Sequence, residues 1–275
     1  MVEVCKMNQR IKEAYEKRPK DWVYNLITAV IVVGLLIWSG SAVETSGSTQ
    51  DGGQIALNVL SGIFHPDLEF LFDMTKSGVP YLMLETICIA FLGTIVGAFI
   101  SIPLAFISAS NLTPKPIAFV GRIIIMMART IPAFVYGLMF IRVTGPGAFA
   151  GLLTMGVCSI GMISKMYIEA IEDLDTKVVE SLDAAGCNTW QKIRYGILPQ
   201  LMPNFASTAI YRFDINLRDA TILGMVGAGG FGAPLIFAMN SYRWNEAGAL
   251  LAGLIVLILI IEFISTKIRV KLTRG

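Results

Sequence analysis

The sequence predicts an all-α, polytopic membrane protein with about six transmembrane helices. Hydrophobic residues make up 55% of the 275 residues, whereas charged residues make up only 15%. A water-soluble domain of this size needs far more polar surface. Helices are predicted because an open sheet would leave backbone groups without hydrogen bonds in hydrocarbon. Six segments approach or reach the roughly 20 apolar residues that a spanning helix requires: residues 22–38, 79–109, 117–141, 148–163, 204–236 and 247–264.

The first predicted helix, residues 22–38, follows a strongly basic tail. Residues 1–20 contain six Lys and Arg, and residues 267–274 contain four more. Because basic residues favour the cytoplasmic side, both termini are predicted to be cytoplasmic, as six spans require. Residues 1–78 are therefore interpreted as a basic tail, the first transmembrane helix and an outer-side segment (41–78).

Residues 79–275 hold the other five predicted spans and form the membrane core. After four spans the chain is predicted to return to the cytoplasm, where residues 165–203 make a long polar loop. Asp175 or Thr176 is predicted to cap a first short helix in this loop, and Gly186 to end it in a left-handed conformation.

A second short helix is predicted after Gly186. Asn188 is expected to cap it, with Gln191 three residues later as in a capping box, and Pro199 and Pro203 are expected to end it. A helix, a glycine corner and a helix form a defined shape that another protein can recognise. The alternative is a solvated connector whose amphipathic arms lie on lipid headgroups.

Several kinds of chemistry lack support in the sequence. The four cysteines, Cys5, Cys88, Cys158 and Cys187, have neither metal nor disulfide spacing, and His65 is the single histidine. Neither a metal site nor a catalytic residue is predicted. The chain has no Gly-x-x-x-x-Gly-Lys-Ser/Thr phosphate loop. No nucleic-acid partner is predicted.

The fifth predicted span carries four charges within eight positions: Arg212, Asp214, Arg218 and Asp219. At about 100° per residue they divide between two faces of the helix. A charge at the bilayer centre costs ~2.5–3.5 kcal/mol, so neither face suits lipid. Asp214 and Arg218 are four residues apart and are predicted to form a structural ion pair.

Three segments carry distinctive motifs. Glu180 lies six residues before Gly186 in the polar loop, and Leu198-Pro199 follows later in the same loop. The other two segments are Arg129-Thr130-Ile131-Pro132 and Tyr211-Arg212-Phe213. Together they resemble the permease subunit of phosphonate-type ABC importers, over roughly residues 79–270. The loop departs from the general pattern of such permeases at Ser181, Leu182 and Gly196.

The resemblance implies a type I, MetI-like permease fold in the inner membrane, with no enzymatic activity and no cofactor in this chain. It implies a second copy of the chain, a cytoplasmic ATPase dimer that holds ATP and Mg, and an outer-side solute-binding protein. The loop would dock on the ATPase and transmit its closure for alternating access, and the residues implied in this coupling are Glu180, Ala184, Ala185, Gly186 and Cys187.

A phosphonate-like cargo would be an anion, and three arginines are candidates to contact it along the pathway: Arg129, Arg212 and Arg218. A guanidinium matches the oxygens of a phosphate-like group. Arg129 lies one turn before Pro132, which permits a kink in the third span. The alternative for Arg129 is that its side chain extends to the cytoplasmic interface.

Other functions stay open at this point. The cargo of an ABC importer could instead be phosphate, phosphite or an amino acid. An ion-coupled secondary transporter could use the intramembrane carboxylates Asp214 and Asp219. An intramembrane enzyme is the third possibility, although the spans contain no evident pair of nucleophile and base.

Overall fold

The computed structural model describes residues 21–42 and 52–274, and most of these residues are helical. The helices are α1 (Asp21–Ala42), α2 (Gly52–Phe64), α3 (Leu68–Phe72), α4 (Val79–Ser108), α5 (Lys115–Thr130), α6 (Ala133–Thr144), α7 (Ala148–Glu172), α8 (Thr176–Ala184), α9 (Thr189–Lys192), α10 (Leu198–Gly224), α11 (Gly232–Asn240) and α12 (Trp244–Arg274), with a π-helical turn at Ile193–Ile197. The predicted all-α class is confirmed. The predictions for residues 1–20 and 43–51 lie outside the described residues.

Among the described residues, four helices are long and apolar enough to cross a membrane: Trp22–Ser41, Val79–Ser108, Ala148–Glu172 and Trp244–Leu272. α5 and α6 together add a fifth if they form one broken span. α10 has the length of a span, but its polar and charged residues keep it out of this set. α1 belongs to a separate compact unit of the chain, and nearly all of its described side chains are exposed.

The third predicted span is not a single kinked helix, because the chain breaks between α5 and α6 with a bend of 83°. Ile131 and Pro132 at the break are extended, with ψ angles of 123° and 145°. A residue before proline is pushed out of the α region, and proline itself has no N–H to donate. The Tyr136 hydroxyl bridges the break by donating to the carbonyl oxygen of Ala128 at 3.1 Å.

The fifth predicted span also divides, at a glycine-rich turn between α10 and α11. Gly227, Gly229 and Gly230 have φ angles of 98°, 85° and 73°, which other residues rarely adopt. A Cβ at Gly229 would be within 3 Å of Ala148 at the start of α7, and a Cβ at Gly230 would overlap Thr86 in α4. The glycines therefore allow this turn to pack against two helices.

α4 and α7 approach each other closely in the core. A Cβ at Gly93 would overlap the side chain of Met155, and a Cβ at Gly97 would overlap the side chain of Ser159. Small residues let two membrane helices come together in this way. The approach also brings the Ser101 hydroxyl within 3.2 Å of the carbonyl oxygen of α7 residue Ile160, to which it donates.

At one end of the α4–α7 pair, a cluster of buried apolar side chains joins these two helices to α5 and α10. We call this cluster the loop-side core. The rings of Tyr167 and Phe205 stack in it with centroids 3.9 Å apart, and the Tyr167 hydroxyl donates to the Phe205 carbonyl oxygen at 3.1 Å. The loop-side core therefore connects the end of α7 to the start of α10. Its members are Ala105, Ala109, Ile125, Ile163, Tyr167, Ile168, Ile171, Ile197, Leu201 and Phe205.

Gly97→Ala is expected to destabilise the protein, because the added methyl group would overlap Ser159 on α7. Overpacking of this kind costs about 1–3 kcal/mol. Gly156→Ala is the matched control at the same interface, since its methyl group would make an ordinary contact 3.8 Å from Val96. Alanine favours helices over glycine, so the control should be neutral or slightly stabilising. Thermal unfolding in detergent measures both, and equal Tm values would contradict this packing.

Candidate functional site

The segment between α7 and α10 is the predicted polar loop, and it is shorter than predicted. α7 continues to Glu172, so Lys165 lies inside a helix and the loop spans residues 173–197. Asp175 is the N-cap of α8, since its Oδ1 accepts a hydrogen bond of 3.0 Å from the backbone N–H of Lys177. Of the two residues predicted for this cap, Asp175 therefore fills the role.

Gly186 ends the first arm of the loop as predicted. Its φ is +75°, and a Cβ there would meet nothing within 4 Å. The N–H of Gly186 donates to the Asp183 carbonyl oxygen at 2.9 Å, and the N–H of Cys187 donates to that of Leu182 at 3.0 Å. This pair of bonds is the Schellman arrangement that glycine favours at a helix end. The corner is thus defined by its backbone.

The second arm begins with the predicted capping box. The Gln191 N–H donates to Asn188 Oδ1, and the Asn188 N–H donates to Gln191 Oε1, both at 2.9 Å. The prediction that Pro199 and Pro203 end this arm is wrong. The chain stays helical through the π-helical turn and into α10, which carries Pro199 in its first turn and Pro203 in its interior.

The residues proposed for coupling lie at the exposed corner of the loop. Glu180, Ala184, Ala185 and Gly186 are exposed, and Cys187 is half-buried. The other end of the loop is buried in the loop-side core, where Ile197 and Leu201 are each 2% exposed. The loop therefore has an exposed corner on a buried base.

One polar face of α10 packs against α4 and α7. Arg212 is 7% exposed, and its Nε donates to Ser159 Oγ at 3.3 Å. Asn216 Nδ2 donates to Thr94 Oγ1 at 2.8 Å and to Ser159 Oγ at 2.7 Å. An ion pair of 3.8 Å joins Arg212 to Asp219. The hydrogen bonds and the ion pair offset the free-energy cost that the charges of Arg212 and Asp219 would have in lipid.

The opposite face of α10 carries the second predicted pair. Arg218 Nη2 lies 2.7 Å from Asp214 Oδ2 and 3.7 Å from Glu262 Oε2 on α12. Asp214 is 5% exposed, whereas the Arg218 side chain is 47% exposed. The structure therefore brings Asp214 and Arg218 together and directs Arg218 towards α12.

A cavity of about 320 Å³ lies between α5 and α7, and Arg129 lines it. Two carboxylates, Glu169 and Glu172, line it too, but each is already paired, with Lys165 at 3.3 Å and with Arg122. Within the described part of the chain, no carboxylate lies at ion-pair distance from Arg129. The full lining is Arg122, Ile125, Met126, Arg129, Lys165, Ile168, Glu169 and Glu172.

Arg122 and Glu172 are not among the site residues predicted from the sequence. They are 50 residues apart and lie on different helices, so no local pattern connects them. A signal existed for Arg122, because it is a charge inside the third predicted span, as Arg129 is. Across residues 21–42 and 52–274, no group of three His, Cys, Asp or Glu residues forms a metal site.

Similarity to known proteins agrees with this architecture. The phosphite transport system permease protein PtxC of Stutzerimonas stutzeri is 35% identical over 68% of this chain and 68% of its own length. The phosphate-import permease protein PhnE of Mycolicibacterium smegmatis is 33% identical over 80% of this chain and 40% of its own length. An inward-facing structure of the MetNI methionine ABC transporter matches 70% of this chain and 95% of its own chain, with a TM-score of 0.61 and 22% identity.

The structural match confirms the predicted MetI-like fold. Residues 101–270 match the family model of binding-protein-dependent transport system inner membrane components. The predictions of a transport subunit rather than an enzyme, and of a multi-pass protein of the inner membrane, are thereby confirmed. The chain belongs to the family of binding-protein-dependent transport system inner membrane components.

Proposed function

We propose that this chain is the permease subunit of an ATP-driven ABC importer for a phosphorus oxyanion, such as a phosphonate, phosphite or phosphate. The observation that carries the proposal is the loop of residues 173–197, with its exposed corner on a buried base. The names of the two relatives, which specify phosphite and phosphate, support the class of cargo.

The corner is suited to docking in a groove of a cytoplasmic ATPase. Ala184, Ala185 and Gly186 are small and exposed, so a partner can approach the backbone closely. Glu180 lies on the preceding turn, and Cys187 follows the corner. ATP and Mg are held by the ATPase, because this chain has no phosphate loop of its own.

Two contacts between the arms make the loop a rigid unit. Asp183 near the end of α8 forms an ion pair with Lys192 at the end of α9. The Leu182 side chain fills the space beside Gly196, so closely that a Cβ at this glycine would overlap it. A rigid unit passes on a displacement that a flexible loop would absorb. Leu182 and Gly196, which both depart from the general permease pattern, therefore compensate for each other.

Two copies of the chain enclose the pathway in this proposal. ATP-driven closure of two ATPase subunits moves the two loops together, and the spanning helices then open to the outer side. A solute-binding protein delivers the cargo there. ATP hydrolysis separates the ATPases again, and the cargo is released into the cytoplasm. The membrane chain supplies the pathway and the coupling, and no chemistry.

Among the three candidate arginines, Arg129 is the best suited to meet the cargo. Arg212 and Arg218 are each engaged by a carboxylate, whereas Arg129 faces a cavity whose carboxylates have other partners. A cavity of about 320 Å³ accommodates a small tetrahedral anion. A single arginine offsets the charge of this anion without holding it tightly, as transport requires.

The engagement of the carboxylates also weighs against an ion-coupled transporter. In such a protein an intramembrane carboxylate takes up a proton or metal ion. Asp214 is paired with Arg218, and Asp219 with Arg212. The ABC importer is therefore the better supported function.

Gly186→Leu is expected to abolish co-purification with the ATPase and ATP-dependent uptake. Gly145→Leu is the matched control, since Gly145 also ends a helix with positive φ, +85°, and has nothing within 4 Å of its Cβ position. Both substitutions place a side chain at positive φ, which costs about 1–3 kcal/mol, and the control is the more strained of the two because the ψ of Gly145 is 166°. Retained co-purification and uptake in Gly186→Leu would contradict docking at this corner.

The Leu182–Gly196 contact predicts a compensating pair of substitutions. Gly196→Ile alone should lower uptake and stability, because its side chain overlaps Leu182. The cost of such overpacking is about 1–3 kcal/mol. Leu182→Ala with Gly196→Ile should recover most of the loss, since the space is then free. A double-mutant cycle on uptake and Tm measures the coupling, and strictly additive effects would refute the contact.

Arg129→Leu is expected to slow uptake of phosphorus oxyanions by about tenfold, the factor for losing a hydrogen bond to a charged group. Arg142→Leu is the control, because Arg142 is exposed in the last turn of α6 and does not line the cavity. Uptake of labelled phosphate, phosphite and methylphosphonate into proteoliposomes measures the effect. Unchanged uptake at a normal level of protein would remove Arg129 from the pathway.

A further inference from the structure

The end of α7 is tied to the turn between α4 and α5 immediately before the loop begins. Glu172, the last residue of α7, accepts a hydrogen bond of 2.7 Å from the backbone N–H of Ser110 and another from the Ser110 hydroxyl. The same oxygen, Oε1, forms an ion pair with Arg122 on α5. One carboxylate oxygen thus joins three segments.

Further hydrogen bonds strengthen this junction. The Asn111 side-chain amide donates to the Ile171 carbonyl oxygen at 2.8 Å, and Arg122 Nε donates to the Ser108 carbonyl oxygen at 3.1 Å. α5 lies so close here that a Cβ at Gly121 would overlap Ser108. We call Ser108, Ser110, Asn111, Arg122, Ile171 and Glu172 the Glu172 clamp.

The clamp lies at the base of the first arm of the loop. Only residues 173–175 separate Glu172 from α8, and the Asp173 N–H donates to the Glu169 carbonyl oxygen at 3.0 Å. The second arm enters the membrane region through Ile197 and Leu201, which are buried in the loop-side core. The loop therefore has two mechanical attachments, and the clamp connects the first of them to α4 and α5.

We propose that Arg122 and Glu172 are positioning residues that transmit movement of the loop to α4 and α5, an inference that rests on the function proposed above. A displacement of α8 reaches Glu172 through three residues. The clamp then moves the end of α4 and the α5 helix that carries Arg129. Without the clamp, the turn between α4 and α5 follows the loop less closely, so fewer oxyanions are transported for each ATP hydrolysed.

The test is the number of oxyanions transported per ATP hydrolysed. It uses proteoliposomes that contain the full permease, its ATPase and its solute-binding protein. Glu172→Gln should leave ATP hydrolysis within about twofold of wild type and lower the transport ratio by about tenfold, since it removes a charge-assisted hydrogen bond and an ion pair. Glu172→Asp, which keeps the charge, should recover part of the ratio.

Glu246→Gln is the control. Glu246 forms an ion pair of 2.8 Å with Arg243, three residues away, and lines neither the cavity nor the loop. Its loss should leave the transport ratio unchanged. A purely structural role for Glu172 would lower the amount of complex, and transport and hydrolysis would then fall together at a constant ratio. That result, or a normal ratio in Glu172→Gln, overturns the proposal.

A second readout does not depend on the cargo. A fluorophore on Leu112→Cys, in the turn between α4 and α5, should respond to vanadate-trapped ATP in a background whose native cysteines are serine. The response should be lost in Glu172→Gln and kept in Glu246→Gln. Absence of ATP-dependent uptake by the wild type counts against the proposed importer, whereas an unaltered response in Glu172→Gln counts against the clamp alone.

Asn111→Ala keeps the test decisive if Glu172→Gln does not assemble with the ATPase. This variant removes only the bond between Asn111 and Ile171. It should lower the transport ratio by about fivefold, the factor for a hydrogen bond worth about 1 kcal/mol. An unchanged ratio in a correctly assembled Asn111→Ala complex would also refute the proposal.

Discussion

The burial of charge on α10 is the constraint on which the rest of this structure depends. Arg212 and Asp214 lie on opposite faces of one helix and are 7% and 5% exposed. Lipid cannot solvate either of them, so other helices must surround α10 and supply partners. Ser159 on α7 and Thr94 on α4 supply part of this polar environment through hydrogen bonds with Arg212 and Asn216. The close approach of α4 and α7 at Gly97 allows these groups to meet inside an otherwise apolar bundle.

The same bundle gives the exposed loop a firm attachment. Ile197 and Leu201 lie in the loop-side core, next to the stacked rings of Tyr167 and Phe205. Glu172 secures the other end of the loop to the turn between α4 and α5. A corner that is exposed at its tip and fixed at both ends is suited to carry motion from a partner into the membrane. Its small residues contribute to recognition, while the buried base contributes stiffness.

Local features of the loop were predictable because they depend on neighbours within a few residues. The Asn188–Gln191 capping box and the Gly186 corner follow from backbone groups that are unsatisfied at helix ends. The helix end predicted at Pro199 is wrong, because the loop passes into α10 without a break in helical structure. At Pro132 the break was sharper than the predicted kink, since the preceding Ile131 also leaves the α region.

The sequence alone determined that this is an all-helical membrane protein with a glycine-cornered loop and a charged helix, because composition, helix caps and the period of the helix are local properties. Only the tertiary structure decided which charges are neutralised. Arg122 and Glu172 pair across 50 residues, and Arg129 is left facing a cavity. Likewise, position 196 requires a glycine because the Leu182 side chain packs against it, and this contact forms only when the two arms of the loop pack together. Ion pairs and packing depend on distances in space, which the spacing of residues along the chain does not specify.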